Sequence, residues 1–266
     1  MLNFISFGSG SSGNCYLIYT ETFGLIIDMG IGPRILKKHF VNYGLSMNII
    51  KAVLLTHDHA DHVKAVGAIS SSLHLPVYAT KETFHGVRRN YSVHKKIESI
   101  NEHIIEKSKT FYMDDFIITP FAVPHDSSDC VGYEIVYNDK TFCLMTDVGH
   151  ITDEMKRYIA KCNYLVIEAN YDGEMLQHGR YPQFLKDRIT SGNGHSSNVE
   201  CANAIINNAS ENLEHIWLCH LSEENNNPDV ARNTIEQMLN GADKVIGRDF
   251  NLTVLNRKTP TGVFHL

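Results

Sequence analysis

The segment AVLLTHDHADH, residues 52–62, constrains the fold of this chain more than any other part of its sequence. An apolar run typical of a buried β-strand leads directly into His57, His59, Asp61 and His62, at the point where the strand should end and a helix begin. Imidazole and carboxylate are the groups that bind zinc, manganese or iron in proteins. His57 and His59 can point the same way at a strand end, and Asp61 and His62 then come from the turn into the helix. The pattern predicts ligands for two neighbouring metal positions.

Three further candidate ligands follow apolar runs later in the chain. His125 lies in AVPHDSSD, Asp147 ends the run TFCLMTD, and His220 ends the run HIWLCH. In open α/β sheets, sites form beyond the carboxyl ends of the strands. We therefore expect these three side chains to complete the ligand set that two metal ions need.

Short β-branched or aromatic runs alternate with helical stretches, which predicts a layered α/β protein. No linker rich in proline, glycine or serine divides the chain, so we expect one domain over residues 1–266. Strands are predicted at 2–7, 14–20, 24–28, 52–56, 76–80, 115–123, 131–137, 141–147, 164–169, 215–220, 244–247 and 252–255. Helices are predicted at Pro33–Phe40, Ala60–Ser72, Thr152–Lys161, Asn198–Ala209 and Pro228–Leu239, the fourth with a capping box of Ser197 and Glu200.

Composition excludes several classes of protein. The chain has 266 residues and a formal net charge of −6, which excludes a broadly basic surface that coats nucleic acid. It contains no apolar run long enough for a transmembrane helix and no visible signal peptide, so no membrane association is expected. The six cysteines lie mostly in apolar runs and form no CxxC pair, which favours reduced core residues in a cytoplasmic protein.

The motifs THDHADH, PHD, TDVG and CHLS, in this order, resemble those of the metallo-β-lactamase superfamily. This resemblance implies a four-layer αββα sandwich with two divalent metal ions, Zn²⁺ or Mn²⁺, with Fe²⁺ as a further candidate. It also implies that Asp28, in GLIIDMG, orients one of the ligands. The resemblance assigns His57, His59 and His125 to the first metal ion. It assigns Asp61, His62 and His220 to the second, with Asp147 as the bridge.

Two further motifs resemble the tRNase Z branch of this superfamily. Glu168 lies in LVIEANYD and His195 in GNGHSSNVE. In that branch a glutamate orients a histidine that donates a proton to the leaving oxygen. Phosphodiester cleavage expels an alkoxide, which benefits from such an acid.

Together with the opening FGSGSSGNCYLI and with HLSEENN, these motifs resemble more closely the YycJ/WalJ family, which is related to tRNase Z and RNase J but has no β-CASP insertion. That resemblance implies a phosphodiesterase or nuclease, acting as a 5′-to-3′ exonuclease on DNA or RNA, with a metal-bridging hydroxide as the nucleophile. The implied catalytic residues are Asp61, Glu168 and His195. Two alternatives remain at this point: a hydrolase of a small ester, lactone or thioester that uses the same metals, and a metal-binding module without catalysis.

Candidates for substrate binding lie in three segments. The Gly-Ser-rich segment 8–13 is either a phosphate-binding loop or a permissive turn between two strands. The segment HGRYPQFLKDR carries cations and two aromatic residues, and either lines a cleft and stacks bases or forms a solvated surface. The candidate substrate-binding residues are Ser9, Ser11, Ser12, Asn14, Arg180 and Ser196.

Overall fold

Two seven-stranded sheets organise the chain, one in each of the two units into which its residues divide. The computed structural model describes all residues from 1 to 266. The first unit comprises Met1–Lys109, Ser127–Val131 and Asn256–Leu266, and the second comprises Thr110–Asp126 and Gly132–Leu255.

The sheet of the first unit combines an antiparallel and a parallel part. Its strands are β1 (Asn3–Gly8), β2 (Cys15–Tyr19), β3 (Gly24–Ile27), β4 (Ile50–Leu54), β5 (Val77–Ala79), β6 (Glu102–Ile104) and β14 (Val263–His265). They lie in the order β14-β1-β2-β3-β4-β5-β6. The strands β14, β1, β2 and β3 pair antiparallel, whereas β3 to β6 pair parallel. Every residue of β1, β2 and β3 is buried, which explains why these strands are apolar along most of their length.

The helices of the first unit pack their apolar sides on this sheet. They are α1 (Pro33–Asn42), α2 (Ala60–Val63), α3 (Val66–Leu73) and α4 (Lys81–Arg89). Leu36 and Phe40 of α1 and Phe84 of α4 belong to one buried cluster with Leu17 and Val53 of the sheet. Proline is tolerated at the first position of α1 because the amide that it lacks has no partner inside the helix.

The single helix predicted over Ala60–Ser72 is wrong, because the structure divides it at Lys64 and Ala65. The carbonyl of Asp61 accepts from the amide of Asn14, and the carbonyl of His62 accepts from the amide of Met29. The amide of Ala65 donates to the carbonyl of Met29 instead of continuing the helix. Contacts with other segments of the unit therefore interrupt a helix that the local sequence favours.

The second unit has a sheet with the same number of strands. They are β7 (Phe111–Met113), β8 (Phe116–Ala122), β9 (Val131–Tyr137), β10 (Lys140–Met145), β11 (Tyr164–Glu168), β12 (His215–Cys219) and β13 (Asn251–Val254). They lie in the order β13-β12-β11-β10-β9-β8-β7, with β10 to β13 parallel. The predicted turn at Asn138 and Asp139 joins the antiparallel pair β9 and β10, and Asn138 has a φ of 52°.

The second unit contains five helices, and side chains cap four of them at the N-terminus. They are α5 (Asp153–Lys161), α6 (Gly173–His178), α7 (Gln183–Ile189), α8 (Asn198–Asn208) and α9 (Pro228–Gly241). The predicted capping box of Ser197 and Glu200 opens α8. Thr152, Asp172 and Asn227 cap α5, α6 and α9, each through one side-chain oxygen that accepts from a backbone amide.

The predicted strand at 244–247 is wrong. This segment forms a turn in which the amide of Gly247 donates to the carbonyl of Phe250, with only an isolated bridge between Ile246 and Phe250. The guanidinium of Arg248 closes the turn by contacts with Asp243 and Asp249. These polar contacts replace the backbone pairing that the apolar run alone predicts.

All six cysteines are free and buried, which confirms their predicted place in the core. Burial raises the pKa of the Cys162 thiol to about 12, so this side chain behaves as a small apolar residue. None of the helices is long and apolar enough to span a membrane.

Candidate active site

The loop after β4 and the short helix α2 bring together the four candidate ligands of the HDHADH motif. The ring centroids of His57 and His59 lie 4.7 Å apart, and those of His57 and His62 lie 4.0 Å apart. Oδ2 of Asp61 lies 3.6 Å from Nε2 of His62. His57 and His62 are fully buried, whereas His59 and Asp61 are partly exposed. The motif thus forms a compact group of candidate nitrogen and oxygen ligands beyond the carboxyl end of β4.

Asp28 orients His62 from the end of the neighbouring strand. Its Oδ1 accepts from the amide of Thr56, and its Oδ2 accepts from the hydroxyl of Thr56, both at 2.8 Å. Oδ2 also lies 2.7 Å from Nδ1 of His62, which donates to it. A proton held on Nδ1 leaves Nε2 of His62 with the lone pair that a metal ion needs.

The segment that follows β3 packs against the motif without space for a side chain. A Cβ atom on Gly30 would lie 1.6 Å from the carbonyl oxygen of Asp61. The amide of Gly30 donates to the carbonyl of Asn14, and the amide of Met29 donates to the carbonyl of His62. Only glycine permits this approach, which holds the backbone of Asp61 and His62 in place.

The structure places the candidate residues of the Gly-Ser-rich segment in different surroundings. Nδ2 of Asn14 lies 2.8 Å from Nε2 of His62 and 3.2 Å from Oδ2 of Asp61. An ion bound to Nε2 of His62 would have to replace the first of these contacts. Ser9 is buried against the hydroxyl of Tyr16, whereas the side chains at positions 11 and 12 are exposed.

The second unit gathers three candidate ligands from separate strand ends. His125 follows β8, Asp147 follows β10, and His220 follows β12. Oδ1 of Asp147 lies 3.5 Å from Nε2 of His220 and 3.7 Å from Nε2 of His125. Two ligands that each lie about 2.0–2.2 Å from one tetrahedral ion are separated by roughly 3.3–3.6 Å. The spacing of these three side chains therefore fits divalent-metal binding.

The backbone is in the left-handed region at three of the predicted residues. The φ angles of Asp28, Asp147 and His220 are 61°, 55° and 54°. This conformation is uncommon for residues other than glycine and costs about 1–2 kcal/mol each. In all three cases it occurs just beyond a strand, at residues that belong to the candidate site. Strain of this kind persists only where surrounding contacts determine the conformation.

Glu168, at the end of β11, holds two histidines at once. Its Oε1 lies 2.9 Å from Nδ1 of His195 and 3.1 Å from Nδ1 of His220. Its Oε2 accepts from the amides of Val148 and Ser196. The sequence predicted the contact with His195 alone. The structure adds the contact with His220, so one buried carboxylate orients both the candidate acid and a candidate ligand.

Glu168 and His195 stabilise each other's charged forms. Burial raises the pKa of Glu168, but the nearby imidazole of His195 and hydrogen bonds from His195 and His220 lower it by more. The pKa of Glu168 therefore lies below its ordinary value. Burial lowers the pKa of His195, but the carboxylates of Glu168 and Asp147 outweigh this effect and raise it above its ordinary value. The pair therefore favours a carboxylate next to a protonated ring.

A common pattern relates the histidines of the site. Nδ1 of His125 donates to the carbonyl of Gly194 at 3.0 Å, as Nδ1 of His62, His195 and His220 donates to a carboxylate. Each of these rings therefore presents Nε2 as its remaining nitrogen. Histidines that bind metals are oriented in this way by a carboxylate or a carbonyl. The donor set and its orientation fit divalent metal ions.

A known family matches most of the chain. The family described as "Beta-lactamase superfamily domain" matches residues 26–213. The chain belongs to the metallo-β-lactamase superfamily. Its fold is the predicted αββα class, and as a member of this superfamily it is a metal-dependent hydrolase.

Individual members of the superfamily match nearly the whole chain. The exodeoxyribonuclease YycJ of Bacillus anthracis is 32% identical over 98% of both chains. The exodeoxyribonuclease WalJ of Streptococcus pneumoniae serotype 2 is 34% identical over 95% of this chain and 94% of the relative. Among solved structures, the metallo-β-lactamase fold protein YhfI of Bacillus subtilis covers all of both chains with 17% identity and a TM-score of 0.70. The predicted resemblance to the YycJ/WalJ family is confirmed.

The remaining candidate substrate-binding residues differ from one another in burial and in hydrogen-bond partners. Ser196 is buried, and its hydroxyl donates to the carbonyl of Val148. Arg180 is exposed in the turn after α6. Lys186 donates to the carbonyl of Gln177, and Arg188 forms an ion pair with Asp126. Two of the cations of this segment thus already have partners within the unit.

The aromatic residues of the same segment also have different environments. Tyr181 packs against the small buried cluster of Tyr171, Leu176 and Ile189. Phe184 is 73% exposed. Of the two rings predicted to stack bases, Phe184 is largely exposed to solvent, whereas Tyr181 is only partly exposed.

Proposed function

We propose that this metallo-β-lactamase superfamily member is a phosphodiesterase that uses two divalent ions and degrades nucleic acid as a 5′-to-3′ exonuclease. One observation carries this proposal: Glu168 holds Nδ1 of His195 3.8 Å from Asp147, which places a candidate acid outside the proposed ligand set beside the proposed bridging residue. A thioester hydrolase has little use for such a group, because a thiolate leaves readily, whereas a departing alkoxide needs a proton. The names of the two exodeoxyribonuclease relatives support a nucleic-acid substrate.

We propose the ligand assignment that the superfamily's motif implies for this chain. Its groups are His57, His59 and His125 for the first ion, Asp61, His62 and His220 for the second, and Asp147 as the bridge. Nitrogen and oxygen ligands suit Zn²⁺ or Mn²⁺, with Fe²⁺ as a further candidate. When bound, two such ions supply an activated water nucleophile and neutralise charge on the phosphodiester.

The residues of the chain provide orientation and the proton. Asp28 holds the ring of His62, and Glu168 holds the rings of His195 and His220, each through Nδ1. Since Nδ1 of His195 is bonded to Glu168, Nε2 is the atom that would deliver a proton to the leaving oxygen. Asp61 would act at the reacting centre as a ligand from the partly exposed end of the motif loop.

We also propose that residues 1–266 form one domain and that the protein acts in the cytoplasm. The two relatives match the chain over nearly its full length, which supports a single domain. The six buried free thiols are typical of a reducing compartment.

The test compares wild type and His195→Ala on end-labelled DNA and RNA oligonucleotides, with the protein loaded with Mn²⁺ or Zn²⁺. We expect stepwise shortening of DNA from the 5′ end by the wild type. The His195→Ala variant should keep its metal content but react about 10²–10⁴-fold more slowly. The matched control is His178→Ala, which removes an exposed histidine of α6 and should act as wild type.

The contrary result is equally clear. Hydrolysis of a simple ester or thioester that His195→Ala retains, with no degradation of DNA or RNA with either metal, would refute the nuclease proposal. It would leave a small-molecule hydrolase on the same ligands.

A further inference from the structure

A cavity of about 530 Å³ lies on the first unit next to the motif loop. Pro33, at the start of α1, and Ala65 and Ala68, around the start of α3, form its apolar floor. Lys64 and the segment 91–95 form its rim. Because Lys64 follows His62 by two residues, the cavity begins beside the candidate metal ligands of this unit. We call it the Tyr91 groove.

The rim of the Tyr91 groove is basic although the chain is acidic. Lys64, His94 and Lys95 line it, and none of its lining residues is an aspartate or a glutamate. Nζ of Lys64 donates to the carbonyl of Ser12, and Nζ of Lys95 donates to the hydroxyl of Ser71. Both ammonium groups are exposed, and neither has a carboxylate partner in the lining. The hydroxyl of Ser71 in turn donates to the carboxylate of Glu98, which lies outside the lining. In a chain of net charge −6, such a place favours an anionic ligand.

An aromatic ring stands at the same rim. Tyr91 is 90% exposed, although the loop that carries it is well anchored. Nδ2 of Asn90 donates to the carbonyl of Asp58 in the motif loop, and Oδ1 of Asn90 accepts from the amide of Ser92. The side chain of Val93 is buried in the core of the unit. The protein thus presents an open ring face on a fixed loop that is bonded to the metal-binding motif.

The wall that carries Lys95 is held by close backbone packing. A Cβ atom on Gly67 in α3 would lie 1.9 Å from the carbonyl oxygen of Lys95. Ile97, two residues further on, is buried in the same core as Val93. The two sides of the groove therefore keep their separation without a ligand, which lowers the entropy cost of binding.

We propose that the Tyr91 groove holds a single-stranded segment of the DNA substrate, with a base stacked on Tyr91 and phosphates near Lys64 and Lys95. Single-strand binding sites combine cations along the backbone with aromatic rings that stack bases. An acidic peptide would meet the same cations but would leave the face of Tyr91 without a planar partner. This inference rests on the proposed function, because it assigns a path to the substrate of the same site.

The test measures binding rather than turnover. Fluorescence anisotropy follows a labelled oligothymidylate of about 12 nucleotides, a length within the usual range of single-strand sites. The metal-loaded protein carries His195→Ala, so that DNA degradation does not obscure the affinity. Tyr91→Ala, the double change Lys64→Gln with Lys95→Gln, and the controls Tyr112→Ala and Lys37→Gln are compared in this background. Tyr112 is 72% exposed and Lys37 is exposed, and neither lines the groove.

We expect Tyr91→Ala to raise the Kd about 10-fold. The double lysine change should reduce the slope of log affinity against log salt by about 1.4, since each phosphate contact on a single strand contributes about 0.7. Both controls should bind as the parent does. Unchanged affinity in Tyr91→Ala, an equal loss in Tyr112→Ala, or a preference for duplex DNA that is insensitive to position 91 would each overturn the proposal.

The outcome is distinguishable from failure of the proposed function. If Tyr91→Ala weakens oligonucleotide binding but the protein with His195 intact never shortens DNA, the nuclease proposal is refuted and the proposal for the Tyr91 groove stands. If the protein shortens DNA equally well with and without Tyr91→Ala, at DNA concentrations below its KM, the nuclease proposal stands and the proposal for the Tyr91 groove is refuted.

Discussion

The two units carry their candidate ligands in different ways. The first unit supplies its ligands from one loop, His57 to His62, whereas the second collects His125, Asp147 and His220 from three strand ends. Each unit also has one buried carboxylate that fixes histidine rings, Asp28 in the first and Glu168 in the second. Asp28 holds one ring and Glu168 holds two. Local sequence thus organises the candidate ligands of the first unit, and sheet topology organises those of the second.

The largest expected effect comes from Glu168→Gln, because Glu168 serves both the candidate acid and a ligand. An amide cannot accept from both Nδ1 atoms with the strength of a carboxylate, and it removes the charge that raises the pKa of His195. We expect DNA hydrolysis to fall about 10³-fold and to stay low in excess metal. Single-turnover kinetics over a range of metal concentrations would measure this, with Glu174→Gln, an exposed glutamate of α6, as the control. Full recovery of the rate in excess metal would show that Glu168 acts on ligand affinity alone.

A smaller effect is expected from Asp28→Asn, because Asp28 contacts one candidate ligand directly, His62. Loss of the carboxylate weakens the orientation of His62, and metal affinity should fall about 10–100-fold. Excess metal should restore most of the activity, in contrast to Glu168→Gln. Metal titration followed by activity assay would show the difference between the two carboxylates. If added metal fails to rescue Asp28→Asn, the two units do not differ in the way described here.

Gly30→Ala tests how firmly the motif loop is held by its own unit. The new methyl group would overlap the carbonyl of Asp61, so we expect a loss of about 2 kcal/mol in the free energy of unfolding. Urea denaturation would measure it. Gly241→Ala, at the end of α9, meets no atom within 4 Å and should leave stability almost unchanged. Equal stability of the two variants would mean that the loop adjusts to the methyl group at little cost.

The smallest expected effect concerns His215 in β12, which makes the stability of the second sheet depend on pH. Burial lowers the pKa of His215 to about 4 from an ordinary value of 6.5. The unfolded chain then binds this proton more tightly, so the contribution of His215 to stability is full above pH 6.5 and is lost as the pH falls toward 4. Because the ring is only partly buried, we expect wild type to lose about 1 kcal/mol more than His215→Gln between pH 7 and pH 5.

Urea unfolding of metal-free protein at the two pH values would measure this difference. His215 stacks on Trp217 with ring centroids 4.2 Å apart and contacts Thr253, so the substitution also lowers stability at both pH values. Only the pH-dependent part tests the prediction. Identical pH dependence in wild type and variant would show that other groups carry the acid sensitivity.

Most strands and helices could be predicted from the sequence, because apolar periodicity and caps are local signals. The box of Ser197 and Glu200 is an example. The strands β6, β7 and β14 have three residues each, too few for a periodic signal. The helix break at Ala65 and the turn at 244–247 depend on contacts with Met29 and among charged side chains, which no local pattern reveals.

By itself, the sequence determined the class of chemistry: six residues of chain keep His57, His59, Asp61 and His62 within about 20 Å of one another, and their donors suit divalent ions. Only the tertiary structure decided which nitrogen is presented by His62, His125, His195 and His220. That choice depends on Asp28, on Glu168 and on the carbonyl of Gly194, which lie far from their histidines in sequence. Hydrogen bonds between distant strand ends exist only once the sheets have formed, so their pattern is a property of the fold.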